Sequence, residues 1–510
     1  MTYPLPCPHR LWTKGGSFLR NKLPIFYSAL LLTAVNLLLR FVSTGFQVYL
    51  SSRIGAAGIG LLQLVLSVGG LTITAAMAGI RTGSMYLTAE ELGKNRPGNV
   101  KWVLGSCFTY SLVISTAVCV AVYVLAPLLA QYWVGDLRTV FPIRLFASFL
   151  PVICLSGVMI GYFTAANRIG TLAAVEIAEQ LVSMVITMAA LSLWAGHDPG
   201  KACCAVILGS GVGSCVTLLC LLILRIREKP PTAPRIPMEK RLVNIALPLA
   251  LADVLKSGIS TTENLMVPKR LARYPGTADP LASFGTVCGM VFPVLMFPAA
   301  IVYALAELLI PELARCAAGG SNGRIQYLVR RGLRFAMLYG CCFGGLLYLS
   351  SEALCIRLYN STEAGFYLRL FAPMIPMLYC DAITDAMIKG LGQQKANVRY
   401  NIITSTMDVI GLFILLPKLG MQGYLFSFLV THLLNFILSL SRLMKITQRK
   451  LQLKMPLFAL AATALATTLA TFAQNVIIQC MVYIPALVCL LFLLGVMKKE
   501  DIAWVKGLIR

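Results

Sequence analysis

Ionisable side chains occur inside long apolar segments of this 510-residue chain, where a charge is costly and therefore informative. Guanidinium and ammonium groups in such positions can bind phosphate oxygens, and arginine can do so through two parallel hydrogen bonds. We interpret Arg40, Arg81 and Lys256 as candidate substrate-binding groups of a central cavity. Buried carboxylates can exchange H⁺ or Na⁺, and the candidate coupling or cavity acids are Asp253, Glu263, Asp381 and Asp385.

Local pairing is the simpler alternative for several of these residues. Asp253 and Lys256 are three residues apart and could neutralise each other on one helix face. Asp381 and Asp385 are four apart, near a segment end, and could be solvated or paired locally. Arg40 lies well inside its segment, so it is the hardest to explain in this way.

The elements that must position these residues are transmembrane helices. The chain is 58% hydrophobic and 13% charged, whereas a soluble domain carries about 25% charged residues. About fourteen apolar runs are long enough to cross a bilayer, which predicts an all-α integral membrane protein. The predicted helices are 23–50, 57–87, 102–131, 141–164, 170–195, 202–225, 243–268, 281–309, 329–350, 364–388, 399–417, 421–443, 454–475 and 478–497.

Lysine and arginine are concentrated in alternate loops. With the N-terminus in the cytoplasm, the predicted cytoplasmic segments hold 30 of the 44 basic residues and the outer loops hold six. This asymmetry predicts that both termini are cytoplasmic and that the chain lies in the bacterial cytoplasmic membrane. It also accounts for the net charge of +24 without a nucleic-acid partner.

The same pattern predicts two pseudo-symmetric six-helix bundles and a two-helix appendage. The bundles are 23–225 and 243–443, joined by a basic, proline-rich linker at 226–242. Weak similarity between residues 161–183 and the segment after 390 suggests a parallel repeat. The remaining predicted segments are a tail at 1–22, a basic loop at 444–453, two helices at 454–497 and a tail at 498–510.

Two prolines, Pro293 and Pro298, lie in the predicted eighth helix. Proline frees backbone groups and allows a helix to bend, so these are candidate gating kinks. The 16 cysteines and three histidines show no metal-binding spacing, and we find no phosphate-binding loop or nucleophile motif. The sequence therefore predicts no cofactor, no metal and no enzyme activity.

Several short motifs resemble a known group when they are taken in order. They are Ile54–Leu64, Thr88–Asn95, Val267–Leu271, the proline-containing eighth helix from Gly289, and Gly390–Lys395. Together they resemble the stage V sporulation protein B-like branch of the polysaccharide flippases, within the multidrug/oligosaccharidyl-lipid/polysaccharide (MOP) exporter superfamily, whose members include the MATE transporters. Four residues depart from the family pattern: Gln47 stands where some relatives carry arginine, Arg81 where many have proline, and Asp381 and Asp385 where relatives have uncharged polar residues.

This resemblance implies two six-helix bundles and translocation of a saccharide linked to an undecaprenyl-type pyrophosphate. We therefore expect a flippase for a lipid-linked oligosaccharide or peptidoglycan precursor, with membrane lipids as partners and H⁺ or Na⁺ as the coupling ion. An H⁺- or Na⁺-coupled multidrug antiporter of the same superfamily is the first alternative. An intramembrane glycosyltransferase or polymerase and a non-transporting scaffold are the others, although the short outer loops disfavour the enzyme.

Overall fold

The computed structural model describes residues 23–94, 96–195, 198–227, 238–448, 454–473 and 475–497. Within these ranges the chain is 91% helical and contains no strand. The predicted tails at 1–22 and 498–510, and most of the predicted linker, lie outside the described residues.

Seventeen helical segments follow one another along the described chain. They are α1 (Leu23–Met77), α2 (Ile80–Gly93), α3 (Val100–Leu128), α4 (Val140–Ala165), α5 (Ile169–Ala190), α6 (Pro199–Arg227), α7 (Glu239–Leu271), α8 (Pro280–Thr286), α9 (Phe292–Met296), α10 (Ala299–Ala318), α11 (Asn322–Tyr359), α12 (Thr362–Phe371), α13 (Ile375–Gly390), α14 (Gln394–Leu419), α15 (Met421–Ile446), α16 (Lys454–Ala470) and α17 (Val476–Leu493).

This arrangement confirms a multi-pass helical membrane protein. Ten helical stretches of the described chain are long and apolar enough to cross a membrane, or eleven if the bent stretch from α8 to α10 counts as one span. Neither α7 nor α16 is among them, and α16 has only 17 residues. The exact number of fourteen stays a prediction.

The long segment α1 contains two helices that meet at Gly55. The φ angle of Gly55 is 71°, a left-handed conformation that glycine adopts without strain. Leu50 and Ile59, from either side of Gly55, are buried in one small apolar cluster. The predicted helix 23–50 therefore corresponds to the first arm of α1, and the predicted helix 57–87 to the second arm together with the first part of α2.

Besides the break at Gly55, three further bends or breaks lie inside apolar sequence. The α8–α10 stretch bends by 64° between Met296 and Ala299, close to the predicted kinks, with Pro293 inside α9 and Pro298 immediately before α10. A shorter break separates α12 from α13. The break between α1 and α2 was not predicted, because it contains no proline.

Small residues allow α8 and the turn after it to lie against α1. A Cβ atom at Gly285 or Gly289 would overlap α1 atoms, and one at Gly60 would overlap the Leu281 carbonyl. Gln47 of α1 also donates a hydrogen bond to the Gly289 carbonyl over 3.1 Å. Close packing of this kind is typical of helix contacts in membranes. Helices there associate through van der Waals packing and not through the hydrophobic effect, and small residues let the backbones approach closely.

The predicted halves also meet along α7. Thr261 Oγ1 donates to the Ser67 carbonyl over 3.0 Å, and Asn264 Nδ2 donates to Ser67 Oγ over 3.1 Å. At the predicted cytoplasmic end, Arg241 lies 2.7 Å from Glu90 and 3.7 Å from Glu91 of α2. The two regions are thus tied together at two separate places along α7.

Candidate functional site

A cavity of about 470 Å³ opens between α2 and α7, where α1 gives way to α2. Arg81 of α2 lines it together with Asp253 and Lys256 of α7, and all three side chains are exposed to it or to its surroundings. Hydroxyl groups come from Thr74, Thr82, Ser257 and Ser260. Two cationic groups, one carboxylate and several hydroxyls form a lining that suits an anionic ligand with oxygen acceptors, such as a phosphate ester.

The sequence spacing of Asp253 and Lys256 allowed these two residues to neutralise each other, but the structure does not pair them. Within the described residues, Asp253 and Lys256 form no ion pair, although they lie one helical turn apart. Glu176 of α5 interacts electrostatically with Arg81. Arg81 therefore has a counter-charge in the first half, while Lys256 faces the cavity from the second.

A helix break forms the wall beside Arg81. Ala78 has a φ of 42° and Gly79 a φ of 73°, so both residues leave the right-handed helical region. A Cβ atom at Gly79 would lie 2.5 Å from the Ala246 carbonyl oxygen of α7, which requires glycine at this point. Because Thr74 and Arg81 line the cavity from opposite sides of the break, its geometry decides where Arg81 stands.

Arg40 lies outside the set of residues that line this cavity. Its guanidinium carbon is 5.3 Å from the centre of the Tyr303 ring on α10, a cation–π contact. Tyr303 in turn interacts electrostatically with Asp381 of α13. The structure thus places Arg40 beside α10 of the second half, outside the cavity that Arg81 and Lys256 line.

The carboxylates of α13 are held by side chains of α15. Asp381 is 9% exposed and accepts hydrogen bonds from Asn435 Nδ2 over 3.1 and 3.3 Å. His432 Nδ1 lies 3.9 Å from the same carboxylate. Asp385 accepts a hydrogen bond from Ser439 over 3.2 Å. Both acids are therefore bonded inside the second half, in contrast to the solvated alternative that their position near a segment end allowed.

Glu263 belongs to a second acidic pair. Its carboxyl group interacts electrostatically with the neighbouring Asp408 carboxyl group on α14. Asp408 is 6% exposed and accepts hydrogen bonds from Ser427 over 2.6 Å and from Thr431 over 3.2 Å. Two carboxyl groups this close repel each other when both are charged, so the site is suited to a proton or a cation between them.

Sequence reasoning missed four residues that these contacts single out. Asp408 carried the same signal as the acids that were identified, because it is a carboxylate inside an apolar segment. His432 and Asn435 lie in the predicted twelfth helix, and both stand out in the sequence as polar residues inside an apolar segment. Tyr303 carried no such signal, since tyrosine is common in membrane helices and only its position beside Arg40 distinguishes it.

Metal ligation is not a feature of the described part of the chain. Within it, no group of three or more histidine, cysteine, aspartate or glutamate side chains is arranged to hold a metal ion. The cysteines described there are free thiols.

Comparisons with known proteins agree with this architecture. A family model described as polysaccharide biosynthesis protein matches residues 26–266. Stage V sporulation protein B of Bacillus subtilis is 22% identical over 438 residues, which cover 83% of this chain and 84% of that protein.

Solved structures of a flippase and of a transporter share the fold. Lipid II flippase MurJ in an inward closed conformation aligns with a TM-score of 0.68 at 12% identity, covering 94% of this chain and 100% of that one. A multidrug resistance MATE family transporter of the MOP superfamily, in an inward-facing conformation, aligns with a TM-score of 0.63 at 13% identity, covering 82% and 98%. The chain therefore matches the polysaccharide biosynthesis family through its first half, is a homologue of stage V sporulation protein B, and has the MOP transporter fold.

Proposed function

We propose that this protein is a flippase that moves a lipid-linked oligosaccharide or peptidoglycan precursor across the bacterial cytoplasmic membrane. Its place would be in spore cortex, cell-wall or polysaccharide synthesis. The observation that carries the proposal is the cavity between α2 and α7, because Arg81 and Lys256 face it from the two halves. The name of the lipid II flippase and the description of the polysaccharide biosynthesis family support the same substrate class, and the sporulation relative supports a place in spore formation.

The headgroup would bind in this cavity while its prenyl tail stays in the lipid. Arg81 supplies a planar guanidinium that can pair with two phosphate oxygens, and Lys256 supplies a point charge from the opposite wall. Arg40 would complete the cationic path along α1, held in place by the Tyr303 ring. Alternating access would then carry the headgroup past the bent segments of α1–α2 and α8–α10.

The buried acids of the second half would bind the coupling ion. Glu263 with Asp408, and Asp381 with Asp385, lie in the second half and do not line the cavity. H⁺ and Na⁺ both suit carboxylates of this kind. Movement of one charge across the membrane contributes about 2.3 kcal/mol per 100 mV, which could reset the empty carrier.

A coupled multidrug antiporter is the second candidate function. The buried acidic pairs favour it, since such a protein must exchange a cation. The cavity itself favours the flippase, because two basic side chains and only one acid line it.

The test is a lipid-flipping assay with the full chain reconstituted in liposomes that contain an undecaprenyl-pyrophosphate-linked disaccharide. We expect wild-type protein to flip this lipid, and Arg81→Gln and Lys256→Gln to lose most of the activity. Arg53→Gln is the control, because Arg53 is exposed and contacts only the Tyr49 ring among its described partners. Transport of a cationic dye without lipid flipping would reject the proposal in favour of the antiporter.

A further inference from the structure

The two broken spans occupy matching places in the predicted halves. The first break, at Ala78–Gly79, lies in the second predicted span of the first half. The other, between Met296 and Ala299, lies in the second predicted span of the second half, where the axis bends by 64°. A break inside a membrane helix leaves backbone carbonyl groups without their helical partners, and these must be satisfied by other groups.

A tyrosine hydroxyl donates a hydrogen bond to a backbone carbonyl at each break. Tyr110 Oη donates to the Ala78 carbonyl over 3.2 Å, and Tyr339 Oη donates to the Pro298 carbonyl over 3.0 Å. The Pro298 carbonyl also accepts a longer bond, of 3.4 Å, from the Ile301 N–H. Tyr110 lies on α3 and Tyr339 on α11, which are the next spans along the chain in their respective halves. The first break contains glycine and the second contains proline. At both, a tyrosine hydroxyl of the next span donates to a backbone carbonyl.

Each break is followed closely by a residue that is, or that contacts, one of the basic groups of the proposed substrate path, Arg81 and Arg40. Arg81 comes three residues after Ala78 and lines the cavity. Tyr303 comes five residues after Pro298 and lies against the Arg40 guanidinium. A change in the angle at either break must therefore move a group that the proposed function places against the substrate.

The first break is also strained in a way that a hydrogen bond can stabilise. A non-glycine residue with a positive φ, such as Ala78 at 42°, is uncommon, and residues of this kind concentrate at switch regions. Gly79 packs directly on the α7 backbone at Ala246, so α2 cannot change direction without moving against α7. The break is therefore located where the two halves must separate.

We propose that Tyr110 and Tyr339 are positioning residues at a matched pair of hinges, one in each half. Each hydroxyl holds its span in the bent geometry, and so keeps Arg81 and the Arg40–Tyr303 pair in place at the substrate path. The two bonds form and break as the halves move. This role rests on the proposed function for its consequence in transport, but the hinges themselves are defined by geometry alone.

The experiment compares Tyr110→Phe and Tyr339→Phe by hydrogen–deuterium exchange of the full chain in lipid nanodiscs. We expect Tyr110→Phe to raise exchange about fivefold in residues 74–82 and to leave residues 294–302 unchanged, and Tyr339→Phe to do the reverse, since one hydrogen bond contributes about 1 kcal/mol. Lipid flipping should fall by a similar factor in each variant, without a fall in the thermal unfolding midpoint.

Matched controls come from the same two helices. Tyr123→Phe on α3 and Tyr327→Phe on α11 remove hydroxyl groups from exposed rings that contact Arg144 and Arg331 through their faces. These variants should match wild type in exchange and in flipping.

Unchanged exchange at both breaks would overturn the proposal, and so would a lower unfolding midpoint without a local change in exchange. If exchange changes locally but no variant, wild type included, flips the lipid, the proposed function fails while the hinge assignment stands.

Discussion

At the scale of single residues, the two signs of buried charge occupy different parts of the molecule. The basic groups Arg81 and Lys256 line the cavity between α2 and α7. The acids Asp381 and Asp408 are buried among hydrogen-bond donors of α15 in the second half. Separation of this kind lets one protein bind an anionic headgroup and a cation at the same time, because the two ligands do not compete for the same side chains.

Arg40→Lys keeps the positive charge but removes the planar guanidinium group. We expect lipid flipping to fall by tenfold or more, because one charge-assisted hydrogen bond contributes about 1.5–3 kcal/mol and lysine cannot pair with two phosphate oxygens. The assay is initial flipping rate in liposomes at matched protein content. Arg53→Lys is the control, and a wild-type rate for Arg40→Lys would contradict a bidentate role.

Asp408→Asn tests the acidic pair with Glu263. Asparagine keeps an acceptor for Ser427 and Thr431, so the thermal unfolding midpoint should not fall, while the loss of one charge should remove the response of transport to an imposed H⁺ or Na⁺ gradient. The measurement is flipping rate with and without the gradient. Asp279→Asn, at an exposed helix cap that asparagine also satisfies, should respond like wild type. A gradient response that survives in Asp408→Asn would remove this pair from the coupling mechanism.

At the scale of helices, function depends on where spans are interrupted. The bend before α10 was predictable, since Pro298 cannot continue a helical hydrogen-bond pattern. The break before α2 was not, because alanine and glycine are both ordinary residues in membrane helices. Only the packing of Gly79 on the Ala246 backbone shows why the chain departs from the helix there.

Gly79→Ala should therefore destabilise the protein. The substitution adds a Cβ at a φ of 73° and 2.5 Å from a carbonyl oxygen, and strain of this kind costs about 1–3 kcal/mol. We expect a lower thermal unfolding midpoint in detergent and slower flipping. Gly93→Ala is the control in the same helix, because nothing lies within 4 Å of its added methyl group. Equal midpoints for the two variants would show that the break relaxes without cost.

At the scale of the whole molecule, two groups of contacts join the predicted halves. Thr261 and Asn264 of α7 donate hydrogen bonds to Ser67, and Arg241 forms ion pairs with Glu90 and Glu91 at the predicted cytoplasmic end. A rearrangement of the halves must break or shift these contacts.

Arg241→Glu should weaken the contact between α2 and α7 by placing three carboxylates together. The Arg241 side chain is 45% exposed, so the lost pair itself contributes only about 0–1 kcal/mol, and repulsion adds to this. We expect faster hydrogen–deuterium exchange at the end of α2 and the start of α7. The double variant Glu90→Arg/Arg241→Glu should restore slow exchange if the ion pair itself holds α2 and α7 together, whereas unchanged exchange in Arg241→Glu would exclude this role.

The sequence by itself determined that this is a helical membrane protein, because the length and apolar character of the segments depend only on local composition. It also identified Arg81, Asp253 and Lys256, since a charge in an apolar segment is visible without a structure. Only the tertiary structure brought these three residues to one cavity, separated Arg40 from it, and joined Glu263 to Asp408. Those relations connect helices far apart in the chain, and they are decided by packing between the helices, which no local pattern records.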